Sequence, residues 1–146
     1  ENSKGLFNVP IGRYKNPKIC APDLLRPASA ALQIADISER PFTAIAERAT
    51  SAEDFVYFDP PYHPLSDTSK FTAYSRYRFG IEQQTELKEL MKQLAQRKVQ
   101  VLTSNSDCPF IRDLYKSFRV ETITAARSIN SKASKRGKIT EVLAIA

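Results

Sequence analysis

Asp59-Pro60-Pro61-Tyr62 is the densest chemical signal in this sequence. A carboxylate closes the apolar run Asp54-Phe55-Val56-Tyr57-Phe58, two prolines follow, and an aromatic ring ends the group. Neither proline has an N–H to give a sheet ladder, and each fixes its φ near −65°. Such a turn can hold the Asp59 carboxylate and the Pro60 carbonyl as two fixed acceptors, with Tyr62 beside them. Two acceptors next to an aromatic plate suit an exocyclic amino group on a flat heterocycle. Hydrogen bonds from both amino protons would draw that nitrogen toward sp³ geometry and localise its lone pair. A base inside a duplex cannot reach such a pocket, so it would have to flip out.

Charge fits a polyanionic partner. The 146 residues carry a formal charge of +6 and a pI near 9.4, and the excess is clustered. Arg127, Lys132, Lys135, Arg136 and Lys138 fall in a stretch without an acid, while Lys4, Arg13, Lys15 and Lys18 share theirs with only Glu1. Phosphate contacts are the expected use of both runs. From His63 to Phe79 the chain interleaves Phe71, Tyr74, Tyr77 and Phe79 with Lys70, Arg76 and Arg78, a mix suited to stacking on bases and touching phosphates.

Other chemistries find little support. The two cysteines, Cys20 and Cys108, stand in no metal-ligand spacing and read as free buried thiols. The one histidine, His63, reads as a loop residue, so no metal is expected. No apolar run approaches the roughly 20 residues that span a bilayer, and a cytoplasmic location is the default expectation.

These residues need a scaffold. The spacing predicts a helix capped by Asp23 and running to Leu32, a strand over Ala31–Asp36, and a second helix capped by Ser38 with Phe42, Ile45, Ala46 and Ala49 on one face. The run from Asp54 to Phe58, apolar on both faces, reads as a strand covered on both sides. Leu87, Leu90, Met91, Leu94 and Ala95 place an amphipathic helix over Glu82–Arg97. Strands at 99–105, 118–125 and 140–146 follow, with a helix capped by Asp107 after the first of them. Alternating strands and helices predict an α/β sheet in which ligands sit beyond the strands' carboxyl ends, gathering Asp36, Asp59 and Asn105. The last two strands should form an antiparallel edge hairpin, because no helix separates them.

The segment from Asp59 to Phe79 closely resembles the D-P-P-Y segment of the DNA adenine methylase family, N6-adenine methyltransferases that use S-adenosylmethionine. Pro64-Leu65-Ser66, Thr68 and Phe71-Thr72-Ala73-Tyr74 continue the likeness. Gly5-Leu6-Phe7-Asn8-Val9-Pro10-Ile11-Gly12-Arg13-Tyr14-Lys15 resembles the family's target-recognition hairpin, and Val101–Asp107 resembles its strand-end segment. Arg127-Ser128-Ile129-Asn130, leading on to Glu141-Val142-Leu143, resembles the family's ending.

The resemblance implies a Rossmann-like methyltransferase sheet, here incomplete, with helices on both faces. Residues 1–20 would be the remnant of the recognition hairpin and 21–146 the C-terminal part of the catalytic domain. Asp59, Pro60, Pro61 and Tyr62 would be the catalytic motif holding the target adenine. Asp59 would also adjoin the cofactor, and Asp36 would lie near its adenine. Pro10, Arg13, Tyr14, Tyr74, Arg127, Ser128, Asn130 and Arg136 would contact double-stranded DNA, with GATC the expected site. The family's Gly-rich F-x-G-x-G cofactor turn has no counterpart, since the four glycines fall at positions 5, 12, 80 and 137. The chain therefore reads as a C-terminal portion whose partner is the missing N-terminal half. Alone it is expected to bind S-adenosylmethionine weakly and to transfer methyl groups negligibly. A non-catalytic DNA-binding fragment and an RNA base amino-methyltransferase are the alternative expectations.

Overall fold

The computed structural model of the chain describes residues 15–17, 19–65, 79–127 and 137–146. They fall into two compact units, Glu1–Glu39 and Arg40–Ala146.

In the first unit the described regular element is helix α1, Pro22–Leu32. Ala21 occupies the N-cap, Pro22 opens the first turn, and Asp23 lies within that turn, so Asp23 favours the positive helix end without capping it. The expected strand over Ala31–Asp36 does not form. Ala30, Ala31 and Leu32 are strong helix formers and extend α1, and Gln33–Ala35 turn out of it through Gln33 N–H to Ala30 and Ala35 N–H to Leu32.

The second unit is a four-stranded mixed sheet in the order β1-β2-β4-β3. The strands are β1, Phe55–Phe58; β2, Gln100–Ser106; β3, Arg119–Arg127; and β4, Gly137–Ile145. Strands β1 and β2 run parallel, from Phe55 opposite Gln100 to Phe58 opposite Thr103. Strand β4 pairs antiparallel with both β2 and β3, so the final hairpin forms as expected, with β4 inserted between β2 and the outer β3.

Helix α2, Ile81–Gln96, crosses from β1 to β2. Its apolar stripe is buried at Leu87, Leu90, Met91 and Leu94. Gln83 reaches back to accept the Gly80 N–H at 2.9 Å, one half of a capping box. Arg97 closes the helix, and Lys98 just beyond it, with a φ of 66°, turns the chain into β2. Helix α3, Pro109–Leu114, follows β2 and buries Ile111, with Tyr115 buried just beyond it. Its N-cap is Cys108, with no side-chain cap bond. Asp107, the expected cap, instead takes a 2.6 Å bond from Arg112, which also donates to Thr122 at 2.8 Å. A guanidinium offers a charged partner that a single backbone N–H does not match.

Phe42–Glu47 folds as a 3-10 helix behind Pro41 rather than a longer helix capped by Ser38. It packs on α2 and returns Ala46 C=O to Arg97 at 2.6 Å. Just before β1, the Asp54 carboxylate accepts the Thr50 and Ser51 N–H groups, both at 2.8 Å, which closes the entry turn.

Val56, Val101, Val142 and Ala144 join the α2 and α3 side chains in one core. Strand β1 is not covered on both faces among the described residues of this unit: Val56 is buried, whereas Phe55 and Tyr57 are 62% and 51% exposed. Both described helices of the unit feed the core on the Val56 side. Cys20 and Cys108 are free; Cys20 is exposed and Cys108 partly buried, so neither is the fully buried thiol expected.

Candidate active site

The β1–β2 ladder stops at Phe58 opposite Thr103, where the motif begins. Pro60 and Pro61 have no N–H to extend it, and side chains of β2 and α2 take over. Thr103 Oγ1 donates to Phe58 C=O at 3.1 Å. Asn105 Oδ1 accepts the His63 N–H at 3.0 Å, and Ser106 Oγ donates to His63 C=O at 2.7 Å. Gln84 Nε2 of α2 donates to Pro61 C=O at 3.0 Å. The motif backbone is thus tied down at 58, 61 and 63.

Those ties leave two acceptors. Ser104 Oγ donates to Asp59 Oδ1 at 3.3 Å and receives the Tyr57 hydroxyl at 2.8 Å. Among the described residues nothing bonds Asp59 Oδ2, and no backbone bond reaches the Pro60 carbonyl. Asp59 is exposed, so its carboxylate also meets water.

Tyr62 is half-buried and donates to Glu141 Oε2 of β4 at 3.3 Å. Burial raises its pKa above the ordinary phenol value, and the Glu141 and Asp59 charges add to the rise, so it stays neutral near pH 7. A pocket of ≈ 240 Å³ opens beside the turn, lined by Phe42, Tyr57, Phe58, Asp59, Pro60, Pro61, Phe79 and Leu87. Tyr62 lies outside that lining. The pocket's volume falls below the roughly 300–1,000 Å³ typical of sites that enclose drug-sized ligands.

One expected member of the crevice, Asn105, behaves differently from the reading of the sequence. Asn105 is 1% exposed and spends its amide inside the protein, donating to Gln84 Oε1 at 3.0 Å, so it braces the turn instead of lining the crevice. Asp36 lies in irregular chain after α1, in the unit Glu1–Glu39, rather than at the end of a strand. Pro10, Arg13, Tyr14, Tyr74, Ser128, Asn130 and Arg136 lie outside the described residues. Arg127 ends β3, and its side chain lies outside them too.

Three participants escaped sequence reasoning: Ser104, Gln84 and Glu141. Gln84 carried a legible signal, since it sits three residues before Leu87 on the buried stripe of α2, where an apolar residue is the rule. The run Thr103-Ser104-Asn105-Ser106, polar yet buried at a strand end, was another.

His63 turns its ring onto Phe110, with centroids 4.5 Å apart. Burial lowers its pKa below 6.5, because the charged form is the worse solvated one. The unfolded chain then binds more protons between the two pKa values, so His63 adds stability above about pH 6.5 that is lost as pH falls toward the folded value. As the sole histidine, its imidazole resonances should titrate with a midpoint below 6.5 in NMR spectra, and His63→Gln should flatten the loss of stability on mild acidification.

Among the described residues no helix is long and apolar enough to cross a membrane, and no group of three or more His, Cys, Asp and Glu side chains is placed to hold a metal.

Comparison with known proteins gives this geometry a context. The sequence profile of the D12 class N6 adenine-specific DNA methyltransferases matches residues 1–129. A type II methyltransferase of Lactococcus lactis subsp. cremoris is 46% identical over 144 residues, 97% of this chain and 50% of the relative. One from Methanocaldococcus jannaschii is 43% identical over 136 residues, 92% of this chain and 47% of the relative. A DNA adenine methylase of Escherichia coli is 40% identical over 146 residues, 99% of this chain and 51% of the relative. The chain spans about half the length of the curated relatives it matches.

Proposed function

The chain belongs to the D12 class N6 adenine-specific DNA methyltransferase family, and from that premise we propose that it is the half of such an enzyme that holds the target adenine. The observation that carries the reading is the pair of acceptors, Asp59 Oδ2 and the Pro60 carbonyl, left open among the described residues on a turn otherwise tied down. An adenine flipped from duplex DNA donates one N6 proton to each. The nitrogen gains a methyl group and loses a proton, and the exposed Asp59 carboxylate takes that proton and passes it to water. Tyr62, fixed by Glu141, is the stacking plate.

S-adenosylmethionine is the proposed donor; when bound it supplies a methyl group on a sulfonium. Among the described residues the Asp59 carboxylate would face its sulfonium charge, and the four glycines, at positions 5, 12, 80 and 137, form no G-x-G turn for the remainder. Residues 1–20 are the proposed remnant of the recognition hairpin and 21–146 the catalytic portion, within a cytoplasmic protein whose other half carries the donor loop. Pro10, Arg13, Tyr14, Tyr74, Arg127, Ser128, Asn130 and Arg136 are the proposed DNA contacts, and Asp36 adjoins the donor's adenine.

The expected behaviour of this chain by itself is weak donor binding and negligible transfer. Isothermal calorimetry checks this directly, and low-micromolar binding of S-adenosylmethionine would contradict it. Filter binding with duplex DNA and RNA competitors, run beside labelled methyl transfer by the full-length protein, tests the proposed function. Turnover on duplex DNA supports it. Binding without turnover favours a DNA-binding protein, and preference for RNA favours an RNA base methyltransferase.

A further inference from the structure

We propose that Gln84 and Asn105 form a positioning latch that aims the Pro60 carbonyl, and that the rate of methyl transfer depends on this pair although neither residue touches substrate. The inference rests on the proposed adenine-holding role of the motif. Each residue is 1% exposed, in a layer otherwise built from Leu87, Met91 and Leu94. Burying an amide is unfavourable unless its bonds are made, and nothing in the packing of α2 on β2 calls for a polar pair. Their bonds nevertheless form one line. The Gln84 amide holds the Pro61 carbonyl at 3.0 Å, Asn105 holds the Gln84 oxygen at 3.0 Å, and the Asn105 oxygen holds the His63 and Ser106 N–H groups at 3.0 and 2.9 Å.

The direction of pull explains the consequence. In a proline-rich extended segment with three residues per turn, successive carbonyls point different ways. Fixing the Pro61 carbonyl inward on α2 therefore keeps the preceding Pro60 carbonyl from taking the same inward direction. Holding His63 at its N–H and C=O pins the far side of the turn. Each proline stiffens its own φ and Pro61 also restricts ψ of Pro60, which leaves ψ of Pro61, the torsion that the Gln84 bond fixes, for the latch to supply. Without it the turn can rotate as a unit, and the second acceptor drifts from the amino group.

Two variants separate aiming from folding, both made in the full-length protein. Gln84→Met preserves length, volume and helix propensity while removing both amide bonds. Asn105→Leu keeps the volume and removes the bonds to Gln84, His63 and Ser106 together. In both, kcat for transfer to duplex DNA should fall about 10- to 100-fold, the size of loss that roughly 1 Å of misplacement produces. KM for DNA and donor should stay within about threefold, because no substrate contact is lost, while the melting temperature should fall by several degrees, because each variant leaves buried polar partners unpaired. Amide exchange at His63 should quicken at least about tenfold in Gln84→Met while Val101, bonded to Ala146 C=O, keeps its protection. An active parent with kcat unchanged in both variants overturns the latch. Equal loss of protection at His63 and Val101 also overturns it, as plain destabilisation. A full-length parent without transfer, beside an unaltered exchange pattern, overturns the reading of the motif and the latch with it.

Discussion

Asp59→Ala in the full-length protein is expected to lower methyl transfer by about 10²–10³-fold or more, the range seen when one preorganised polar partner of a transition state is removed. On the proposed role of Asp59, two contributions vanish together in this variant, the acceptor that localises the amino lone pair and the base that receives its proton. Ser104, which donates to Asp59 Oδ1 at 3.3 Å, loses that partner but keeps Tyr57 at 2.8 Å, so the end of β1 should survive. Duplex affinity should hold or rise slightly, because the lost charge is negative and DNA is a polyanion. Asp59→Asn is the finer probe, since it preserves shape and one acceptor while removing the charge. Its loss should be smaller than that of Asp59→Ala at neutral pH. Single-turnover assays beside gel-shift titrations check both, and near-parental transfer by Asp59→Ala would refute the role assigned to the carboxylate.

The second large effect concerns stability. Leu94 is fully buried on the stripe by which α2 covers β2, and Leu94→Ala leaves a cavity in the single core cluster of Arg40–Ala146. A loss of about 2–5 kcal/mol is expected, against a total that for domains of this kind is about 5–15 kcal/mol. Lys92, exposed on the same helix, is the control, and Lys92→Ala should change stability by less than about 0.5 kcal/mol. Urea unfolding followed by circular dichroism measures both. A loss under about 1 kcal/mol for Leu94→Ala would mean that α2 is not anchored as described.

What could be read from the sequence follows the range of the forces involved. Helix α2 was legible to within a residue, because burial repeats every three or four positions and dominates its energy. The four strands of the sheet were legible as short apolar runs, and the antiparallel pairing of β3 with β4 followed from the absence of a helix between them, whereas the insertion of β4 beside β2 did not. The Ala31–Asp36 strand was not legible, since the local helix preference of three residues outweighed a sparse apolar alternation. The Asp107 cap failed because Arg112, five residues on, competes for the same oxygen at 2.6 Å.

At the site, Asp59 and the two prolines announced themselves through chemistry that few other contexts need. The bracing behind them did not. Gln84 lies 23 residues from the Pro61 carbonyl it holds, and Glu141 lies 79 residues from Tyr62. Such partners meet only once α2 has packed on the sheet and β4 has paired with β2. The clue available in advance was a buried-stripe glutamine, and that becomes specific only when its acceptor is known.

The most direct measurement is the identity of the modified nucleoside. The full-length protein is incubated with duplex DNA and methyl-labelled S-adenosylmethionine, and the digested DNA is resolved by mass spectrometry, with Asp59→Ala alongside. The label should appear as N6-methyladenine from the parent and vanish from the variant. Label on cytosine, or N6-methyladenine formed equally well by Asp59→Ala, would contradict a turn built to hold an adenine amino group.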